Sequence, residues 1–162
     1  MPTTLLITGP RGIGKTATSQ AVSDLLTSRG TPHALIDLDD ICALSPCHPT
    51  DPLNHELGLA NLTSLCANYR NAGAEIIVLA APLRRDMAPR LAAATGVPEG
   101  DMAVVRLVAP EEIVRLRREG QGREQVAWKR GAVEDVDIGV AVSADAPLVD
   151  VAARALRELE EL

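Results

Sequence analysis

Eight residues near the start of the chain, Gly9-Pro10-Arg11-Gly12-Ile13-Gly14-Lys15-Thr16, follow the spacing G-x-x-x-x-G-K-T. That is the pattern of a phosphate-binding P-loop. It stands between an apolar run, Thr4 to Thr8, and a helix-like stretch. The chemistry needs this order: glycines let successive backbone N–H groups converge on an anion, and the helix N-terminus behind them adds partial positive charge. Lys15 is expected to reach the β- and γ-phosphates and Thr16 to ligate Mg²⁺. The expected nucleotide-binding positions are Gly9, Arg11, Gly12, Ile13, Gly14, Lys15, Thr16 and Ala17. Lysine occurs only at Lys15 and Lys129, so one of two stands where such a loop requires it.

A second set of reactive groups is Asp37, Asp39 and Asp40, at the end of the apolar run His33 to Asp37. If the strand continues past Asp37, then Asp37 and Asp39 share side-chain parity and both face the cleft of phosphate transfer. One would orient Mg²⁺ or its water, and the other would take a proton from an acceptor hydroxyl. Asp40 reads as part of a solvated acidic turn or as a helix cap. A third set is Arg115, Arg117, Arg118 and Arg123, with Arg130 further on. Arg115 and Arg118 fall on one helix face, and Gly120-Gln121-Gly122 interrupts the helix before Arg123. An arginine-bearing lid over about 117–130 would neutralise the transferred group and shut out water, with Arg118 or Arg123 closing on it. Arg84 and Arg85, at the turn after the third apolar run, are candidates to hold an anionic acceptor group.

Apolar runs alternating with helix-patterned segments predict a parallel sheet with crossover helices. Strands are expected at Thr4 to Thr8, His33 to Asp37, Glu75 to Ala80, Met102 to Val108 and Ile138 to Val142. Helices are expected over Lys15 to Ser28, after Pro110, and from Pro147 to Glu161. Between the second and third strands, Ile41 to Asn54 is rich in Pro, Asp and His, and a helix bearing Leu57, Leu62, Leu65, Cys66 and Tyr69 follows. This insert, about 41–70, would lie over the sheet edge where ligands bind. No repeat or long linker divides the chain, so residues 1–162 read as one domain.

Composition bounds the partners. Phe is absent and Trp128 and Tyr69 are the only aromatic residues, so base stacking on aromatic rings is scarce. With a formal net charge of −6, the chain is not expected to bind nucleic acid. The first apolar run is too short to cross a membrane, and no membrane partner is expected. Three cysteines, with no leader pattern before them, point to a reduced, cytoplasmic protein. The spacing of Cys42, Cys47, His48 and His55 fits no standard zinc pattern. No apolar strand ends in the Asp-Glu pair of motor-type ATPases, and D-x-x-G and N-K-x-D are absent, which argues against a GTPase switch of the Ras type.

Taken together, the P-loop, the D-x-D after strand two, the insert, the Pro-containing turn after strand three, the Arg-rich lid and the final helix resemble the small-molecule kinases of the nucleoside monophosphate kinase superfamily. The resemblance covers essentially the whole chain. It implies an α/β fold of three layers, αβα, around a five-stranded parallel sheet of order 2-3-1-4-5, with ATP and Mg²⁺ as cofactors and a small-molecule hydroxyl as acceptor. Ile36-Asp37-Leu38-Asp39-Asp40-Ile41 is similar to the D-x-D segment of shikimate kinases, which implies that Asp39 meets the acceptor hydroxyl and Asp37 helps hold Mg²⁺. Leu53-Asn54-His55-Glu56-Leu57-Gly58-Leu59, then Asn61, then Ala81-Pro82-Leu83-Arg84, resembles adenylylsulfate kinases and implies acceptor-side roles for Asn54 and Arg84. The superfamily resemblance further implies that adenine lies between Arg115 and the loop Ser143 to Ala146, an Arg plane stacking on the base without an aromatic ring. Two alternatives remain open: an antibiotic-modifying phosphotransferase, which differs only in its acceptor, and a slowly hydrolysing ATP-binding regulator.

Overall fold

The computed structural model of the protein describes residues 3–120 and 138–161. Five strands run in the order expected from the alternating pattern: β1 (Thr3–Thr8), β2 (His33–Asp37), β3 (Ile76–Ala80), β4 (Met102–Val108) and β5 (Val140–Ser143). They form one parallel sheet of order β2-β3-β1-β4-β5. β1 is central, with Leu5 in register between Val78 and Ala103. Its neighbours are apolar without alternation because both faces of a parallel sheet are covered.

The two faces receive different helices. Leu5, Ile7, Val78, Val105 and Leu107 pack with Val22 and Leu26 of α1 (Lys15–Ser28) and with Val151, Ala155 and Leu156 of α6 (Leu148–Glu160). Leu6, Ile77 and Leu79 point the other way. They meet Leu62 and Cys66 of α3 (His55–Asn71) and Leu91 of α4 (Ala88–Thr95). Between β2 and α3 lie the one-turn helix α2 (Leu38–Ile41) and a loop, and α5 (Glu111–Gly120) follows β4. The sequence pattern does not anticipate α4, whose segment opens with a proline that reads as a turn; that proline sits in the first turn, where its missing N–H costs nothing.

The fifth strand starts two residues later than the apolar run suggests. Gly139 precedes it at φ +80°, and a Cβ there would strike the Val104 carbonyl oxygen and side chain. The chain therefore turns at this glycine and pairs with β4 only from Val140, opposite Val105. The second strand departs in the other direction. It stops at Asp37, and α2 begins at Leu38, so the parity expected to carry Asp37 and Asp39 to the same face does not apply.

Cys66 is buried on the inner side of α3. Burial pushes its thiol up from 9.0 to about 11, against the smaller opposing pull of the Arg70 guanidinium. A folded-state value above the unfolded one means that the neutral thiol's contribution is complete below pH 9 and is lost as pH rises toward 11. Denaturant titrations across this window should show a stability loss in the wild type that is smaller in Cys66→Ala. Equal slopes for the two proteins would show that the thiol is not the titrating group.

Candidate active site

The loop between β1 and α1 has the backbone that its glycines predict. Gly9 has φ +143°, and a Cβ there would lie 2.9 Å from the Leu107 carbonyl oxygen, so this position admits glycine alone without displacing β4. Gly14 has φ +108° and is the N-cap of α1; its carbonyl accepts the Thr18 N–H at 2.9 Å. Ile13, between them, is buried in the α1–α6 core and pins the loop to the sheet. Lys15 lies back across the loop, its Nζ donating to the carbonyl oxygens of Gly9 at 3.0 Å and Pro10 at 3.3 Å. Arg11 and Ala17 are exposed on the loop and in the first turn of α1.

Asp37 joins this loop to the insert. One of its carboxylate oxygens accepts the Thr16 hydroxyl at 2.8 Å, and the other accepts the Asp39 backbone N–H at 3.0 Å. The second bond caps α2 and places Asp39 in that helix's first turn, exposed to solvent. Thr16 and Asp37 are both hard oxygen donors, the type that Mg²⁺ takes through one or two protein ligands, so the pair fits that cation.

Opposite this junction, Arg117 spans two elements. Its Nη1 donates to the Ile13 carbonyl at 3.0 Å, and its Nη2 donates to the Ala144 carbonyl at 3.0 Å. One guanidinium therefore ties α5 to the P-loop and to the loop after β5, with Ala146 two residues beyond its second contact.

No family model matches the sequence, and neither does any curated protein. The structure does have neighbours. A sugar kinase from Janibacter sp. superposes with a TM-score of 0.67 at 19% identity, over 99% of this chain and 95% of that one. The tunicamycin resistance protein of Deinococcus radiodurans gives 0.65 at 20% identity, over 98% and 96%. The Mycobacterium tuberculosis APS kinase, solved with AMPPNP and APS, gives 0.64 at 19% identity, over 98% of each chain. The fold is that of the P-loop small-molecule kinases. The sheet order implied by the sequence resemblance is the order observed.

Within this kinase fold, several expected site residues stand elsewhere. Arg115, expected beside the base, points outward and lies 3.9 Å from Glu119 on its own helix. Arg117 takes the place near the base loop. The signal for it was present, because Arg117 lies one helical turn after buried Val114 and so on the inward side of α5. Asn54, expected at the acceptor, is buried at φ +53°, and its amide N–H groups go to the carbonyl oxygens of Cys42 at 2.7 Å and Leu44 at 2.9 Å. An amide spent on two loop carbonyls is a brace for the insert, which corrects the acceptor assignment. Arg84 is exposed at the ligand-side turn with both Nε and Nη2 on Asp86 at 3.2 Å. An acceptor anion would have to compete with that carboxylate. Arg118 falls in α5 with its side chain outside what the structure describes, and Arg123 and the rest of the expected lid, from 121, lie outside the described residues.

Among the described residues no three His, Cys, Asp or Glu side chains gather into a metal cluster, and no helix is long and apolar enough to cross a membrane. Cys42, Cys47 and Cys66 are free thiols.

Replacing Arg117 by alanine should weaken nucleotide binding roughly tenfold or more, the scale of lost charge-assisted hydrogen bonds. Arg117→Lys should not restore it, because an ammonium lacks the fork that reaches two carbonyls. Calorimetric titration with a non-hydrolysable ATP analogue measures both. Wild-type affinity in Arg117→Ala would remove this arginine from the nucleotide site.

Proposed function

We propose that this chain is an ATP-dependent kinase that transfers the γ-phosphoryl group to a hydroxyl of a small metabolite. The observation that carries the reading is the double use of Asp37, one oxygen on the P-loop Thr16 and the other on the backbone of Asp39. That arrangement sets a phosphate-binding loop and an exposed carboxylate side by side at the carboxyl ends of neighbouring strands, where ligands of open α/β sheets bind.

The backbone N–H groups of Gly12 to Thr16 and the Lys15 ammonium bind and orient the β- and γ-phosphates. Thr16 and Asp37 hold Mg²⁺, which supplies charge neutralisation at the phosphates when bound. Arg117 braces the loop against the base-side segment that ends in Ala146. The acceptor hydroxyl oxygen attacks the γ-phosphorus in line as the bond to the bridging oxygen breaks. ADP leaves with that electron pair, and the hydroxyl proton passes to the Asp39 carboxylate. Little covalent chemistry falls to the protein, and the rate comes from positioning and electrostatics. Arg118 and Arg123 are the candidates on the transferring group, and Arg84 is the candidate for an anionic acceptor substituent. The reaction calls on no nucleic acid or membrane.

Incubation with ATP, Mg²⁺ and a fractionated metabolite extract, followed by mass spectrometry, should reveal a product heavier by one phosphoryl group. A product found only with an added antibiotic panel would favour the antibiotic-modifying phosphotransferase, a reading supported by the likeness to the tunicamycin resistance protein. Slow ADP release with no phosphorylated product in either mixture would overturn the kinase reading in favour of a nucleotide-binding regulator.

A further inference from the structure

We propose that Asn61 is a positioning residue for Asp39, acting through α2, an inference that rests on the kinase reading above. α2 has four residues, far too few to hold a helix by its own hydrogen bonds. Its place must be set from outside, and the structure shows how at both ends. At the N-terminus Asp37 accepts the Asp39 N–H at 3.0 Å. At the C-terminus the Asn61 side-chain N–H donates to the Ile41 carbonyl at 2.8 Å, and Asn54 takes the next carbonyls, those of Cys42 and Leu44. These are carbonyls that a helix end leaves without an internal partner.

The three contact positions on α3 form one stripe. Asn54, Gly58 and Asn61 are spaced i, i+4 and i+7 from the N-cap of that helix, so they share a face. Gly58 belongs to the same fit, because a Cβ there would strike the Cys42 Sγ; only a bare backbone lets the end of α2 lie this close. Leu38 and Cys42 fill the rest of the contact and are buried in the core that contains Leu59 and Leu62. α3 is itself anchored: Asp51 accepts the His55 N–H at 2.7 Å and the Leu57 N–H at 3.1 Å.

The arrangement assigns the polar groups of α3 to a task different from ligand contact. Asp37 sets where α2 begins, and Asn61 sets its direction by fixing the far end. A one-turn helix held at only one end pivots, and Asp39, in the first turn, would swing with it. Because catalysis by proton transfer requires hydrogen-bond reach to the acceptor hydroxyl, a small swing is costly. Asn61 therefore acts on the rate through the placement of a carboxylate that it does not touch.

The test compares wild type, Asn61→Ala, Asp39→Asn and the double variant. Backbone hydrogen exchange of the segment 39–44 should rise about tenfold in Asn61→Ala, the scale of one lost hydrogen bond, while α3 keeps its protection. Transfer of labelled phosphate from ATP into the metabolite extract at saturating ATP should fall by about tenfold to a hundredfold, the scale of misplacing a reacting group, with KM for ATP unchanged. The double variant should be no slower than Asp39→Asn alone, because the two changes remove one function. Should Asn61→Ala not fold, Asn61→Leu, of similar volume and with no N–H, carries the same measurements. Unchanged exchange in 39–44, or losses that multiply in the double variant, would overturn the role of Asn61 while leaving Asp39 in place. Wild-type transfer by Asp39→Asn would overturn the Asp39 reading itself and, with it, the role of Asn61.

Discussion

Lys15→Ala is expected to lower turnover by at least about 10²–10³-fold, the scale of losing one preorganised group at a developing charge, and to weaken ATP binding as well. The phosphates of ATP bring several negative charges to a chain whose formal net charge is already −6. The backbone N–H groups of the loop supply partial charges only, and Lys15 supplies a whole one. Its ammonium now donates to the carbonyl oxygens of Gly9 and Pro10, at 3.0 and 3.3 Å, so it is held over the loop's concavity before any ligand arrives. Binding exchanges those neutral partners for anionic ones, a gain that alanine forfeits. The half-buried side chain contributes little to the core, and the fold should survive the change with a similar melting temperature. Calorimetry with ATP and the extract-phosphorylation rate together check the expectation. Unchanged affinity and rate in a folded Lys15→Ala protein would end the P-loop reading.

The parts of this molecule that were legible in its sequence are those whose signal is local. β2 and β4 and helix α1 have the bounds that apolar runs and caps predict, and the P-loop has the backbone that its glycines require. The parts that were not legible depend on partners distant along the chain. The end of β2 is one: whether the chain continues as a strand past Asp37 is decided by its carboxylate accepting both Thr16 and the Asp39 N–H. Alternation alone could not report the first of those bonds, which spans 21 residues. Arg117 is another, since its two acceptors are the Ile13 and Ala144 carbonyls on either side of it in sequence. A reading by charge spacing favoured Arg115 because Arg118 stands three residues on. A reading by burial, starting from Val114, would have favoured Arg117. Asn54 shows the converse case. Its motif suggested a ligand contact, but a left-handed residue at the start of α3 is buried against the insert, and there its amide serves backbone carbonyls.

The local cause of the strand's end also shapes the second large expectation, that Asp39→Asn cuts phosphoryl transfer by about 10²–10⁴-fold, the range of general-base assistance, while ATP affinity stays as in the wild type. Asparagine preserves the size of the side chain and removes its capacity to take a proton. It leaves α2 intact, because the cap belongs to Asp37 and the bond at position 39 is made by the backbone N–H. Asp37→Asn should behave differently. Asparagine caps as well as aspartate, yet it loses one of the two anionic oxygens, so Mg²⁺-dependent nucleotide binding should weaken together with transfer. Asp40→Asn, on the same turn and also exposed, should leave both quantities alone. Three neighbouring carboxylates thus give three patterns in the same pair of measurements. A uniform effect of all three substitutions would mean that only the local negative charge matters, and the separate assignments of metal and proton to Asp37 and Asp39 would fall together. A loss confined to transfer in Asp39→Asn would instead tie the reaction to one carboxylate, held in place by backbone bonds that the substitution does not touch.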